Sequence, residues 1–317
     1  MSDTLFTVII ASFNHKPFVE RSICSVIDQP IEDVQCIVVD RGSADGSLDV
    51  INLYKNEIDR VIRKPNATTS EAINSALKIA DGQYICVLHA DEVLEPDTLH
   101  RVAQIIDDEN SPAWISGGCV CVDPFEYERG HIYPQTPRSL AQLLMREAGH
   151  FASASTFFAG ELIEEVGLLN ENLNQAYMYD LWCRFVAENY MPYVTSDVLA
   201  VRHENAHKQS ADCILEQGRE LIDIAEQYTE KLPMAQRYAL WSNCDQRRRI
   251  YALAEAEAKS GEAKTYMLRE LLRHPWWLAD SAVRHTVMHG VDHPLPTDAL
   301  GTPGTPDAPG STGPIAA

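Results

Sequence analysis

The sequence predicts an α/β protein: a mostly parallel sheet flanked by helices, followed by an all-helical appendage. Three observations carry that expectation. Strand-like and helix-like stretches alternate three times within the first 100 residues, the pattern of a parallel sheet with right-handed crossovers. The strand-like runs are short, apolar and β-branched, as in strands buried on both faces. From about residue 211 the pattern turns helical only, and residues 291–317 are dominated by Pro, Gly, Thr and Ser. That tail composition buries too little apolar surface to order itself. The expected domains are therefore 1–210, 211–290 and a disordered 291–317.

Taken in order, Phe6-Thr-Val-Ile-Ile10 reads as a first strand, and Ala11-Ser-Phe-Asn14 as the turn behind it. Pro17 stands near a helix start, with Phe18, Ile23, Val26 and Ile27 at helical spacing. Gln35-Cys-Ile-Val-Val39 is the second strand, and Asp40-Arg-Gly-Ser-Ala-Asp-Gly46 a glycine-punctuated loop. A helix over 48–56, a strand over 60–63 and a helix over 70–80 capped by Ser70 follow. Asp81-Gly82 ends that helix.

Tyr84-Ile-Cys-Val-Leu88 is the next buried strand. Behind it come His89, Ala90, Asp91 and Glu92, then a helix start at Pro96-Asp97. Strand 114–122 contains Gly117-Gly118, where a neighbour is expected to approach closely. Residues 123–137 read as irregular, 160–166 and 179–190 as helices, and 193–201 as a last strand. Three or four helices follow, broken near Pro233, Gly261 and Pro275.

The totals narrow the function. With 46 acidic against 26 basic residues the net charge is −20, which argues against a surface made for nucleic-acid phosphates. No window approaches the ~20 apolar residues that span a bilayer, and the N-terminus lacks an export-signal pattern. A cytoplasmic protein is expected, with its eight cysteines as reduced thiols. Arg269 with Arg273-His-Pro-Trp-Trp-Leu278 combines basic and aromatic residues in a way that suits peripheral membrane contact.

Ligands of open α/β sheets bind at the carboxyl ends of strands, which singles out the loops after residues 10, 39 and 88. Six stretches there and beyond resemble family 2 glycosyltransferases of the GT-A fold. They are Val8-Ile-Ile-Ala-Ser-Phe-Asn14, residues 20–29, Ile37-Val-Val-Asp-Arg-Gly-Ser-Ala-Asp-Gly46, residues 70–85, residues 156–169 and Tyr179-Asp-Leu-Trp-Cys-Arg184. They occur in the family's order across about two thirds of the chain.

The resemblance implies an inverting transfer from a nucleotide-diphosphate sugar to a glycan, lipid-linked or protein acceptor in surface polysaccharide synthesis, with Mn²⁺ or Mg²⁺. It implies a nucleotide-sugar site at Ala11, Ser12, Asn14, Asp40, Arg41, Asn66, Ala90 and His203. Metal ligation falls to Asp91, at the last acidic position of the family's D-x-D motif, with His89 and His203 beside it. The catalytic base falls to Asp180, with Glu171 as a more distant candidate. The chain departs from the family's pattern at Arg41 and His89, where acids are usual, and at Met178, which stands at the usual base position. Those departures favour a second class, a binding or scaffold subunit that keeps the pocket and has lost turnover.

Overall fold

The computed structural model describes residues 4–123, 125–146, 150–203, 211–258 and 262–289. The expected tail and residues 204–210, among them His207 and Lys208, lie outside the described residues. The chain divides between residues 208 and 209 into two compact units.

The first unit is built on one mixed sheet of nine strands. β1 (Phe6–Ser12), β2 (Val34–Asp40), β3 (Arg60–Arg63) and β4 (Tyr84–His89) run parallel in the order β3-β2-β1-β4. The second half mixes directions. β8 (Thr156–Ala159) lies antiparallel to β4 and to β6 (Trp114–Val122), while β9 (Tyr193–His203) runs parallel to β6. β1 and β2 are buried almost throughout, which is why they read as apolar runs and not as alternating ones.

The crossover helices cover the parallel strands. α1 (Val19–Ile27) buries Val19, Ser22, Ile23 and Val26. α2 (Ser47–Leu53) and α3 (Thr69–Leu77) follow β2 and β3. The cap of α3 is Thr68 and not Ser70: its hydroxyl accepts the Glu71 N–H at 3.2 Å while the Glu71 carboxylate accepts the Thr68 N–H at 2.7 Å. Ser70 is buried inside the first turn and donates to the Leu173 carbonyl. Gly82 does not terminate α3 either. A Cβ there would lie 2.3 Å from the Thr7 backbone nitrogen, so close approach to β1 is what demands glycine.

Two short strands escape the sequence reading. β5 (Glu92–Leu94) follows β4 directly and pairs antiparallel with β9, so α4 (Thr98–Asp108) begins only afterwards. β7 (Glu128–Ile132) pairs with β6 inside the stretch expected to be irregular. Both owe their structure to backbone pairing with a distant neighbour and neither has an apolar repeat of its own. The expected close approach at Gly117 and Gly118 is real. Added Cβ atoms would stand 2.6 Å from the Leu199 side chain and 2.8 Å from Tyr133.

Three further helices complete this unit: α5 (Leu140–Leu144), α6 (Gly160–Val166) and α7 (Tyr177–Ala187). The α7 helix is held on the sheet by aromatic packing. Trp182 stacks on Trp114 at 5.2 Å and meets Phe158 edge-on at 5.8 Å. That packing sets where the first turn of α7 points.

The second unit contains, among the described residues, the helices α8 (Ala211–Gln227), α9 (Met234–Ala258), α10 (Ala263–Arg273) and α11 (Ser281–His289). A small core of Leu253, Ala256, Met267, Leu271, Trp277 and Val283 joins the last three. Buried Asp245 accepts both the Trp276 and Trp277 indole N–H groups at 3.0 Å. It thereby satisfies the polar edges of two rings that would otherwise be costly to hold in place.

Candidate active site

Strand register assembles the site. Ser12 pairs with Asp40 and Ala11 with His89, so the carboxyl ends of β1, β2 and β4 finish side by side. Strand order reverses between β1 and β4, the place where open α/β sheets form a crevice. The loops after these three strands therefore meet there.

Much of the polar chemistry of these loops is spent on shaping them. Fully buried Asp40 accepts the Gly42 N–H at 3.0 Å, the Ser43 N–H at 3.1 Å and the Ser43 hydroxyl. Asn14, at φ 54°, donates its N–H to the Ser43 hydroxyl and accepts the Ala44 N–H, each at 2.9 Å. The Lys16 N–H and the Ser47 N–H both go to Asp45 at 2.9 Å. Burial pushes the Asp45 carboxyl up, and the hydrogen bonds from Ser47 and Lys16 outweigh it, holding the pKa below its ordinary value. The turn after β1 and the loop after β2 thus form one rim.

Arg41 crosses this rim. Its Nε donates to the Ala67 carbonyl at 2.9 Å and its Nη1 to the Thr69 hydroxyl at 2.8 Å, while the guanidinium lies 5.0 Å from the Phe13 ring centre. Phe13 is 43% exposed, so the pair presents an aromatic and cationic wall to solvent. Asn66 stands exposed at φ 65° on the loop that Arg41 grips.

At the end of β4, the Ala90 N–H donates to the Ala11 carbonyl at 3.0 Å and Ala90 is buried. His89 is half-buried, and its Nε2 lies 3.1 Å from the Tyr177 hydroxyl at the start of α7. Asp91 is half-buried, and its carbonyl accepts the His203 N–H at 2.9 Å. With β5 intervening, Asp91 does not cap a helix. Glu92 is buried and accepts the His89 N–H at 2.8 Å. Burial pushes its carboxyl up, with His89 pulling it down.

His203 is brought beside Asp91, yet it is engaged there. Its Nδ1 lies 3.3 Å from the Asp91 carbonyl, and its buried Nε2 lies 3.6 Å from Glu126, which pairs with Arg21. Two residues that sequence reasoning missed sit closer to the crevice. His15 is half-buried, with its pKa lowered by burial, raised by Asp91 and lowered by His89, so it shares their field. Tyr177 meets His89 as described. The sequence signal for both was adjacency: His15 follows the Ser-Phe-Asn turn, and Tyr177 precedes Met178.

Asp180 is buried in the first half of α7. Its carboxylate accepts from Arg184 Nε at 3.0 Å, and Arg184 Nη1 donates to the Val166 and Gly167 carbonyls. Burial raises the Asp180 pKa and Arg184 pulls it back. Arg184, and not the ion pair within α7, ties this helix to the end of α6. Glu171 accepts from the Asn74 amide at 2.9 Å, and Met178 is buried.

A divalent cation needs oxygen or nitrogen donors that converge on one point. Among the described residues no three His, Cys, Asp or Glu side chains converge to hold one. One carboxylate at the mouth of a crevice suits Mg²⁺ or Mn²⁺ that takes most of its ligands from substrate phosphates and water. Asp91 fits that role; a free-standing metal cage is not built here.

Comparison with known proteins agrees with this fold. The family model for glycosyl transferase family 2 matches residues 7–166. A chondroitin synthase of Pasteurella multocida is 27% identical over 184 residues, covering 57% of this chain but only 18% of that protein. An uncharacterized glycosyltransferase of Rickettsia prowazekii is 23% identical over 271 residues and 83% of both chains. Among solved structures, Staphylococcus aureus TarS 1–349 in complex with UDP-GlcNAc superposes with a TM-score of 0.55 at 14% identity, covering 86% of this chain and 92% of that one. The mannosyltransferase PcManGT of Pyrobaculum calidifontis, in complex with GDP-Man and Mn²⁺, gives 0.55 at 17% identity, covering 93% and 84%. At these identities the structures show a shared fold, the mixed-sheet GT-A architecture.

Proposed function

The chain belongs to glycosyl transferase family 2, and from that premise we propose that it moves a sugar from a nucleotide-diphosphate sugar to a hydroxyl of a glycan, lipid-linked or protein acceptor in surface polysaccharide synthesis. The observation that carries this is the crevice where β1, β2 and β4 end together, with Phe13 and Arg41 on one side and His89 and Asp91 on the other. Solved neighbours bind nucleotide sugars: TarS was captured with UDP-GlcNAc and PcManGT with GDP-Man.

In this reading the Phe13–Arg41 wall and the Asn66 loop hold the nucleoside, and the backbone of residues 11–14 borders it. Asp91 would hold a Mn²⁺ or Mg²⁺ ion, which would supply charge stabilisation for the departing diphosphate. The acceptor oxygen attacks the anomeric carbon as the bond to the diphosphate breaks, inverting the centre in one displacement. Asp180 is the assigned proton acceptor, and it must leave Arg184 to serve. That ion pair, together with Met178 at the usual base position, favours the second reading, a nucleotide-sugar-binding scaffold without turnover.

The test is a thermal-shift and calorimetric screen of nucleotide diphosphates and their sugars, with and without Mn²⁺. The expected result is stabilisation by one nucleotide, strengthened by the ion, with the ion-dependent part lost in Asp91→Asn. No stabilisation by any nucleotide would refute both readings; binding without transfer would select the scaffold. The proposed location is cytoplasmic and peripheral to a membrane. Among the described residues no helix is long and apolar enough to cross one.

A further inference from the structure

The α10 helix carries more apolar surface than its core uses. Ala263, Met267 and Leu271 form its buried stripe against the small helical core. The stripe beside it, about 100° further round the helix, is Lys264, Leu268 and Leu272. Leu268 is 52% exposed and Leu272 is 87% exposed. The next stripe holds Arg269 and Arg273, both exposed. Core, leucine and arginine faces therefore succeed one another around a single helix. Beyond its end stands Trp276, half exposed, with its ring fixed by the bond to Asp245 and by contact with Trp241 at 6.0 Å.

The charge carried by this helix itself is opposite in sign to the total of the chain. Residues 263–273 contain three basic residues, Lys264, Arg269 and Arg273, against one acid, Glu270, a net +2, in a protein whose total is −20. Fields are screened beyond about 8 Å at physiological ionic strength, so a surface touching α10 responds to this local excess and not to the total. The acid nearest Arg273 on the helix, Glu270, is already paired with it at 2.8 Å.

We infer that the Leu268–Leu272 face of α10, flanked by Arg269 and Arg273, docks on an anionic lipid surface. Leucines enter the boundary between headgroups and acyl chains, arginines meet lipid phosphates, and an anchored indole sits at the headgroup level. This deepens the peripheral location proposed above and rests on it, while the surface itself lies on residues that take no part in the donor site.

The experiment floats the full chain with vesicles of phosphatidylcholine alone and of phosphatidylcholine mixed with phosphatidylglycerol, at low and physiological salt. The expected result is binding to the mixed vesicles, much weaker binding to the neutral ones, and weakening by salt. Leu268→Ser combined with Leu272→Ser should lower the bound fraction roughly tenfold or more, and Arg269→Glu should lower it on mixed vesicles only. Both variants change exposed side chains, and unchanged circular dichroism confirms their fold. Failure of wild type to float with anionic vesicles, or equal flotation of the variants, overturns the inference. So does a concentration-dependent dimer that the double serine variant dissolves while no vesicle binding is seen. Nucleotide-dependent thermal shifts on the same samples report on the donor site, so loss of one result leaves the other standing.

Discussion

Asp40 distinguishes a residue that builds the site from one that touches the ligand. Its carboxylate is fully buried and receives two backbone N–H groups and one hydroxyl. In Asp40→Asn one oxygen becomes an NH₂ group that faces donors. One charge-assisted bond is lost and at least one buried donor is left without an acceptor, a cost of roughly 1.5–3 kcal/mol. For a unit of this size each kcal/mol lowers Tm by about 2–4 °C, so the midpoint should fall by roughly 3–12 °C. Ser43→Ala removes the hydroxyl that links Asp40 to the Asn14 N–H. Because the two residues share one network, the double variant should cost less than the summed singles, by about 1 kcal/mol.

The assay is thermal and urea unfolding followed by circular dichroism, run beside nucleotide binding on each variant. Binding should weaken in parallel with stability, because the loop between residues 41 and 47 loses its anchor. A Tm change below about 2 °C with nucleotide binding abolished would refute the reasoning. Asp40 would then act on the ligand directly, and its loop bonds would be incidental.

Three other outcomes are expected. Gly82→Ala drives a Cβ into the β1 backbone at 2.3 Å and should cost about 1–3 kcal/mol or more, read as a lower urea midpoint; an unchanged midpoint would mean that β1 and residue 82 separate easily. Tyr177→Phe removes the contact with His89 and should cost about 0.5–1.5 kcal/mol of stability while lowering transfer more than donor affinity; equal transfer would confine Tyr177 to packing. Asp180 has a folded pKa raised above its ordinary 3.8 by burial, against the pull of Arg184. The folded state therefore binds the proton more tightly, and stability from this group falls as pH rises through the window above 3.8. Asp180→Asn should remove that slope from urea midpoints measured across this window and, if the carboxylate is the base, abolish transfer while donor binding survives.

The parallel strands were legible because burial on both faces leaves long apolar runs, and the loops behind β1, β2 and β4 were legible as glycine- and acid-rich interruptions. Their meeting point followed from the parallel topology alone. What local sequence does not carry is pairing at a distance. β5 is three residues long and exists through β9, more than 100 positions away. The Tyr177–His89 contact spans 88 positions and depends on Trp182 stacking against Trp114. The cap of α3 was a different case: Thr68 and Glu71 stand at capping-box spacing, and Ser70 merely lay nearer the apolar repeat. The burial of Glu92 belongs with pairing at a distance, because an acid behind a strand reads as solvated unless the β5–β9 pairing that buries it is known.

Division of labour around the crevice follows from the same contacts. Asp40, Ser43, Asp45 and Ser47 face one another and hold the rim, so substitutions among them act first on shape. The side chains that depart from the family's pattern are arranged differently. Tyr177 contributes to the field at Arg41 and contacts His89, and His89 in turn acts on His15. Arg41 and His89, separated by 48 positions in sequence, thus both lie within the electrostatic reach of Tyr177, and Met178 follows it in sequence. Independent decay of a disused site would scatter its losses without regard to contact. Here the ring of His89 meets the hydroxyl of Tyr177 at 3.1 Å and Arg41 lies in the field of the same tyrosine, so departures on three separate segments gather around one side chain.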